Sequence, residues 1–186
     1  MAAQGELRQD EPEVDAQIEV RRRLALAQIR QYPDPALRLR ANDVELFDGA
    51  LARLAERMTE LMHDARGVGL AATQVGVLQR LFVFKAEEDD EPRAIANPRL
   101  TARSDEVEVA DEGCLSLQGV LVPVERNVTV TLEGHDLEGA PLRLELAELA
   151  ARIVQHELDH LDGVLIVERT DAESRREALA TLRRGL

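Results

Sequence analysis

The sequence contains few aromatic residues and a single cysteine. Its aromatics are Tyr32, Phe47, Phe82 and Phe84, and it has no tryptophan. A surface of aromatic side chains on which bases could stack is therefore not available, which disfavours single-strand nucleic-acid binding. Cys114 has no second cysteine with which to form an internal disulfide. A lone cysteine accompanied by histidines is a candidate for catalysis or metal binding.

Long apolar runs are also missing, and acidic residues outnumber basic ones by 36 to 23. No apolar stretch approaches the roughly 18–20 residues that span a bilayer, and the acidic segment 1–20 lacks the apolar region of a secretory signal. The net charge of −13 repels phosphate backbones and anionic lipids, so we expect no direct DNA binding and no membrane attachment. We expect a cytoplasmic protein that acts as a monomer, with its 186 residues folded as one domain.

The hydrophobic pattern predicts an α+β fold, with mostly antiparallel sheets around a central buried helix. A helix over about 48–66 has apolar residues at helical spacing, with Asp48 as N-cap and Gly67 as the C′ residue. Period-two alternation and turn residues predict strands between residues 80 and 146. Their expected bounds are 80–85, 94–98, 106–110, 120–124, 128–134 and 141–146. Further helices are expected over 147–162 and 171–184, and residues 18–31 are compatible with another.

The helix over 147–162 contains the sequence HELDH (156–160). His156 and His160 are four residues apart, so their side chains lie one above the other on one helix face, as two ligands of one metal do. Leu149 and Ile153 share that face, and further apolar residues lie nearly opposite, which indicates burial between two layers. The alternative is a pair of core histidines satisfied by hydrogen bonds.

Glu157 lies about 100° around the helix from His156. That position suits contact with a metal-bound water and not with the metal, which is the geometry of a general base in metal-assisted hydrolysis. A solvated surface glutamate is the simpler alternative.

A catalytic site of this kind needs a third protein ligand. The extended motif H-E-x-x-H-x-x-G-x-x-H matches at Gly163 but has Ile166 where its last histidine should be. Glutamates in the charged segment that follows are better explained as a solvated face; they are Glu168, Glu173 and Glu177. Cys114, in EGCLS (112–116), remains as the candidate, with a buried structural cysteine as the alternative.

Three motifs together resemble the signature of the peptide deformylase family. They are GVGLAATQVG (67–76), EGCLS (112–116) and HELDH (156–160), and the resemblance runs from about Ile29 to about Val167. It implies a catalytic domain over 25–170, preceded by an acidic N-terminal extension, 1–24, and followed by a charged C-terminal tail or helix, 171–186.

The resemblance also implies an activity and a metal site. Members of this family remove the formyl group from the N-formylmethionine of nascent proteins and release formate. By similarity, Cys114, His156 and His160 bind one divalent ion per chain, expected to be Fe(II), with Zn(II) or Ni(II) able to replace it. A metal-bound water is the nucleophile, and Glu157 is the general acid and base. The side chain of Gln74 and the backbone N–H of Leu115 form the oxyanion hole.

The expected partner is the N-formylmethionyl nascent peptide, lying extended beside residues 67–70, where Gly69 allows close backbone approach. We count Glu112 among the substrate-binding residues. Val68, Leu149 and Ile153 are the candidates for the methionine pocket, with plain core packing as the alternative.

The sequence departs from the family pattern in two places. Gln118 stands where many members have proline, and the arginine that many carry shortly downstream is missing; we do not assign its role to Arg126. The C-terminal segment is locally basic, which suggests contact with ribosomal RNA, although a solvated amphipathic helix is the simpler interpretation. Its arginines are Arg175, Arg176, Arg183 and Arg184. The competing functions are a general metallopeptidase and a non-catalytic metal- or peptide-binding relative.

Overall fold

A computed structural model of the chain describes residues 11–87 and 91–184. Residues 1–10 of the predicted extension and 185–186 of the predicted tail lie outside the described residues. The helices are α1 (Glu11–Leu26), α2 (Gly49–Asp64), α3 (Glu148–Leu161) and α4 (Ala172–Arg184). The strands are β1 (Gly69–Ala71), β2 (Leu81–Phe84), β3 (Arg93–Arg103), β4 (Val107–Glu112), β5 (Val122–Asn127), β6 (Thr129–His135) and β7 (Pro141–Ala147).

The strands form two antiparallel sheets, which confirms the predicted α+β class. One sheet has five strands in the order β1-β2-β3-β6-β7, and the other pairs β4 with β5. Strand β1 lies at the edge of the larger sheet, with Gly69 opposite Phe84 and Ala71 opposite Phe82. Among the described residues one side of β1 has no strand partner, so this side can accept an added extended chain.

Helix α2 begins where the sequence predicts and ends one residue earlier than expected. The Asp48 side chain caps it by accepting hydrogen bonds from the backbone N–H groups of Ala50 and Leu51. At its end Arg66, and not Gly67, takes the left-handed conformation, with a φ of 59°. The N–H of Gly67 then bonds to the Met62 carbonyl at 2.8 Å. This is the 6→1 hydrogen bond of a Schellman motif. The assignment of Gly67 as the C′ residue was therefore wrong by one position.

Strand β3 is longer than predicted. The sequence pattern ends the strand at Pro98, because proline cannot donate a backbone hydrogen bond. In the structure β3 continues to Arg103, and its pairing with β6 shifts register between Ala96 and Arg99. The register shift lets the strand continue although Pro98 has no backbone N–H to donate, since prolines in sheets occur at bulges.

Helix α3 lies between the two sheets, as its two apolar sides predict. Val154, Leu158 and Leu161 pack in a cluster with residues of β2, β3 and β6. The side chain of Gln155 bonds to both the N–H and the carbonyl of Asn127 at the end of β5. These contacts hold the His156–His160 face toward the smaller sheet and the loop after β4.

The flanking helices pack onto this core. In α1, Ala25 and Leu26 are buried in the cluster that contains α2, and in α4, Ala178 and Leu182 are buried against β5 and the segment after α3. Within the described ranges, no helix combines the length and apolarity required to cross a membrane.

Candidate active site

The structure brings Cys114, His156 and His160 together. Each offers one ligand atom, and these atoms lie within 4.8 Å of one another. The Cys114 Sγ is 3.1 Å from the His160 Nε2, and the two imidazole rings cross at 70° with centroids 4.9 Å apart. A sulfur and two imidazole nitrogens at this spacing form the donor set of a tetrahedral site for a borderline-soft divalent ion.

Cys114 is held in place by its local turn. It follows β4, and the Ser116 N–H points at its Sγ from 3.4 Å. Burial alone would raise the pKa of the Cys114 thiol, but the His160 charge and the hydrogen bonds from His156 and His160 bring that pKa well below its usual range. The lowered pKa favours the thiolate, the form that binds metals.

His156 is oriented by Glu112. The His156 Nδ1 lies 3.0 Å from the Glu112 Oε2, which leaves Nε2 as the ligand atom. Burial acts to lower the pKa of His156, but its bonds with Cys114 and Glu112 raise it well above the usual value. The proton shared by these groups is one that a divalent ion would displace, since metal ligands bind in their deprotonated form. The donor chemistry thus fits a metal centre.

The buried Arg126 and the partly buried Arg152 hold the Glu112 carboxylate by hydrogen bonds. Arg126 makes a bidentate pair with it, at 2.9 Å for both bonds, and also reaches Asp159 at 2.6 Å. Arg152 donates to the Glu112 Oε1 at 3.0 Å and to the Val124 carbonyl. Burial would raise the pKa of the Glu112 carboxyl, but the His156 and Arg126 contacts lower it to about 2. Glu112 is therefore an ionised partner that orients the candidate metal ligand His156.

Sequence reasoning did not find this network of ion pairs. Arg126 is buried, and its guanidinium contacts carboxylates instead of facing the cavity, so it does not replace the missing family arginine. Asp159 lies within HELDH and also pairs with Arg169. One feature of the sequence could have indicated the network. Asp159 is the second acidic residue of HELDH and lies on a helix predicted to be buried, where an ionised side chain requires a partner.

Glu157 lies beside Cys114, His156 and His160 and contacts the edge strand β1. It is 3% exposed, and its Oε2 has no hydrogen-bond partner among the described residues. Burial raises the pKa of this carboxyl to about 7, against the opposing effect of His156 and His160. The carboxylate packs against Gly69, where a Cβ atom would lie 2.8 Å from the Glu157 Cδ. A larger residue at Gly69 would displace it.

Gln74 is buried and oriented by two hydrogen bonds. Its Oε1 accepts from the Ala71 N–H at 2.8 Å, and its Nε2 donates to the Ser116 Oγ at 3.0 Å. The same Nε2 is 3.7 Å from the Cys114 Sγ, so its second N–H is directed toward the metal ligands. Within the described part of the chain the Leu115 N–H has no acceptor. The Leu115 N–H is therefore available to a ligand, and the second N–H of Gln74 would have to exchange the Cys114 Sγ for one.

One cavity of about 790 Å³ joins nearly all the candidate residues. Its wall includes every predicted substrate-binding residue and every predicted site residue except His160, which is buried. The predicted residues that line it are Val68, Gly69, Gln74, Glu112, Cys114, Leu115, Leu149, Ile153, His156 and Glu157. Val68 and Leu149 are about half exposed, at 46% and 51%, whereas Ile153 is buried. The roles assigned to these residues from sequence stay predictions.

The residues that the sequence analysis rejected as a third ligand contact other groups. Ile166 is buried in the apolar cluster of β5 and α4 and offers no ligand atom. The Glu168 carboxylate bonds to Arg38 and to the Leu165 N–H, and Glu173 is exposed on α4.

Comparison with known proteins gives one consistent family. The sequence model for polypeptide deformylase matches residues 26–176. Peptide deformylase 1 of Corynebacterium efficiens is 41% identical over 162 residues, which covers 86% of this chain and 96% of the relative. Peptide deformylase of Acidothermus cellulolyticus is 44% identical over 160 residues, covering 86% of this chain and 87% of the relative.

Solved structures of the same family share the fold. A peptide deformylase from Legionella pneumophila superposes with a TM-score of 0.80 and 38% identity, covering 84% of this chain and 92% of that chain. The enzyme from Thermotoga maritima gives a TM-score of 0.74 and 44% identity, with coverages of 77% and 96%.

Proposed function

The chain belongs to the polypeptide deformylase family and is a metal-dependent hydrolase, and from this premise we propose that it removes the formyl group from the N-terminal formylmethionine of nascent proteins. The single observation that carries the proposal is the convergence of Cys114, His156 and His160 beside a buried carboxylate, Glu157, on the wall of one cavity. The products are formate and a free amino terminus.

Cys114, His156 and His160 are the residues that would hold the metal ion, for which we propose Fe(II), with Zn(II) or Ni(II) as replacements. When bound there, the ion supplies Lewis-acid chemistry and makes water a nucleophile near neutral pH. Glu112 holds the His156 ring by its Nδ1 and thereby directs Nε2 to the site.

Glu157 transfers the proton in this proposal. Its Oε2 is a buried acceptor with no partner among the described residues, and it faces the cavity beside the metal ligands. The carboxylate takes the proton from the attacking water and returns it to the nitrogen of the breaking formyl amide. The C–N bond then breaks with the leaving amine protonated.

Gln74 and Leu115 stabilise the oxyanion that forms on the formyl oxygen. The Gln74 amide is held by Ala71 and Ser116, so only its second N–H, which points at the Cys114 Sγ, changes partner during the reaction. Donors fixed in this way typically lower a barrier by about 2.7–4 kcal/mol each.

The peptide is proposed to lie extended along the open edge of β1. Backbone hydrogen bonds to Gly69 and its neighbours would align it as an added strand. The methionine side chain would occupy the apolar part of the cavity lined by Val68, Leu149 and Ile153.

An assay of formate release tests the proposal. Formyl-Met-Ala-Ser should yield stoichiometric formate and Met-Ala-Ser, and unformylated Met-Ala-Ser should stay uncleaved. Cleavage of an internal peptide bond, or binding of the formyl peptide without formate release, would reject it in favour of a metallopeptidase or a binding protein.

A further inference from the structure

Helix α1 adds a charged residue to the wall of the active-site cavity. The family match begins at residue 26, so Arg22 lies before it, yet both Arg22 and Leu26 line the cavity. Residues four apart on a helix share one face. Because Leu26 is buried in the core cluster, the face that carries Arg22 is held toward the cavity.

A second arginine stands in the same wall. Arg66 is exposed, lines the cavity, and adopts a left-handed backbone conformation with a φ of 59°. Glycine is the usual residue there, and a long side chain in this conformation carries strain that the fold must offset. The backbone N–H of Arg66 bonds to the His63 carbonyl, but its guanidinium makes no hydrogen bond or ion pair within the described residues.

Arg152 and Arg22 differ in how strongly their guanidinium groups are already bound. Arg152 is satisfied by Glu112 and by the carbonyls of Val124 and Glu108. In the described part of the chain the Arg22 guanidinium makes one ionic contact, 3.8 Å from Glu19. Both side chains are more than a third exposed, so that pair competes weakly with a ligand.

Among the carboxylates of the wall, Glu112 and Glu157 belong to the catalytic site, and Asp111 is exposed at the mouth. Outside the catalytic site, the described part of the wall therefore carries two guanidinium groups and the Asp111 carboxylate, with the exposed Glu19 as a weak neighbour of Arg22.

We propose that Arg22 and Arg66 make this enzyme prefer nascent peptides with an acidic side chain among the residues that follow the formylmethionine. This inference rests on the proposed function, which places the methionine in the deep part of the cavity. An extended peptide advances about 3.3 Å per residue, so the second to fourth residues would pass the mouth. Guanidinium groups bind carboxylates by paired hydrogen bonds.

The preference runs against the charge of the whole protein. A net charge of −13 attracts basic peptides and repels acidic ones. A preference for acidic peptides therefore has to come from local cations, and removing them should reverse it.

Steady-state kinetics with amidated peptides test the proposal. The reference is formyl-Met-Ala-Ala-Ala-NH2, and glutamate, glutamine or lysine replaces alanine in turn at the second, third and fourth residues. The amide removes the terminal carboxylate as a competing anion. At low salt we expect glutamate at one or more positions to lower KM about three- to tenfold relative to glutamine, with kcat within about twofold, and the gain to fade in high salt.

The variant Arg22→Gln/Arg66→Gln should lose this gain and favour lysine peptides. Its matched control is Arg21→Gln/Arg53→Gln, which removes two charges from exposed positions on α1 and α2 outside the cavity wall and should keep the glutamate preference. Equal KM values for glutamate and glutamine peptides at all three positions, or a preference that survives in the double variant, would overturn the inference. Failure of the proposed function would look different, because even the neutral reference peptide would release no formate.

Discussion

The carboxylate of Glu157 packs directly against the backbone of Gly69. A Cβ atom at Gly69 would lie 2.8 Å from the Glu157 Cδ and 3.0 Å from its Cγ, closer than real side chains approach. The edge strand that is expected to bind the peptide therefore also sets the position of the proposed proton carrier.

Gly69→Ala tests this relationship. The added methyl group should push the Glu157 carboxylate out of line, so kcat should fall at least about tenfold, since small misplacements of catalytic groups have large effects. Metal content, measured by plasma emission spectroscopy, should stay unchanged. Gly49→Ala is the control, because its Cβ would meet only the flexible end of Arg53. Wild-type kcat in Gly69→Ala would contradict the role assigned to this contact.

Gln74→Leu should cut kcat about a hundredfold or more while the metal stays bound, because one oxyanion donor is lost. The Ala71 N–H also loses its acceptor, so thermal unfolding should be measured alongside, with Gln17→Leu on the exposed side of α1 as the control. Near-normal turnover in a folded, metal-loaded Gln74→Leu protein would refute the assignment.

Glu112→Gln should weaken metal binding about ten- to hundredfold, because His156 loses the charged acceptor that orients it. Competition with a fluorescent chelator measures this affinity directly. Glu108→Gln is a matched control: this carboxylate also pairs with Arg152, at 3.6 Å, but is 67% exposed. If both variants bind metal as the wild type does, Glu112 is not an anchor of the site.

Glu168→Gln should make the free energy of unfolding less dependent on pH in the acidic range. Burial acts to raise the pKa of Glu168, but the Leu165 N–H and Arg38 lower it below the usual value. A carboxyl with a lowered folded pKa stabilises the fold above its unfolded pKa, about 4.3, and loses this effect as the pH falls through the folded pKa.

The Glu168→Gln protein should thus be less stable at pH 7 by about 0.5–1.5 kcal/mol, and the difference should vanish in acid. Urea unfolding between pH 7 and pH 3 measures it, with the exposed Glu177→Gln as the control for net charge. A constant difference across this range would contradict the assignment.

Local patterns predicted much of this molecule. The spacing of His156 and His160 on a two-sided apolar helix predicted a buried ligand face, and the Asp48 cap fixed the start of α2 within one residue. Three short motifs sufficed for the family, because the proposed ligands and oxyanion donors lie within them.

Contacts between distant segments could not be predicted from the sequence. Glu112, Arg126 and Arg152 come from different elements, and no local period reveals that they meet. The sequence also gave no sign that Arg22 would reach the cavity, because that depends on how α1 packs on α2. Pro98 misled the strand prediction, since the register shift that accommodates it is set by pairing with β6.

The central claim is that one sulfur and two imidazole nitrogens of this chain hold a single metal ion. X-ray absorption at the zinc edge of protein loaded with one equivalent of Zn(II) tests it most directly. The account predicts one sulfur at about 2.3 Å and two nitrogens at about 2.0–2.1 Å, with the sulfur shell absent in Cys114→Ala. A wild-type spectrum without sulfur in the first coordination shell would contradict it.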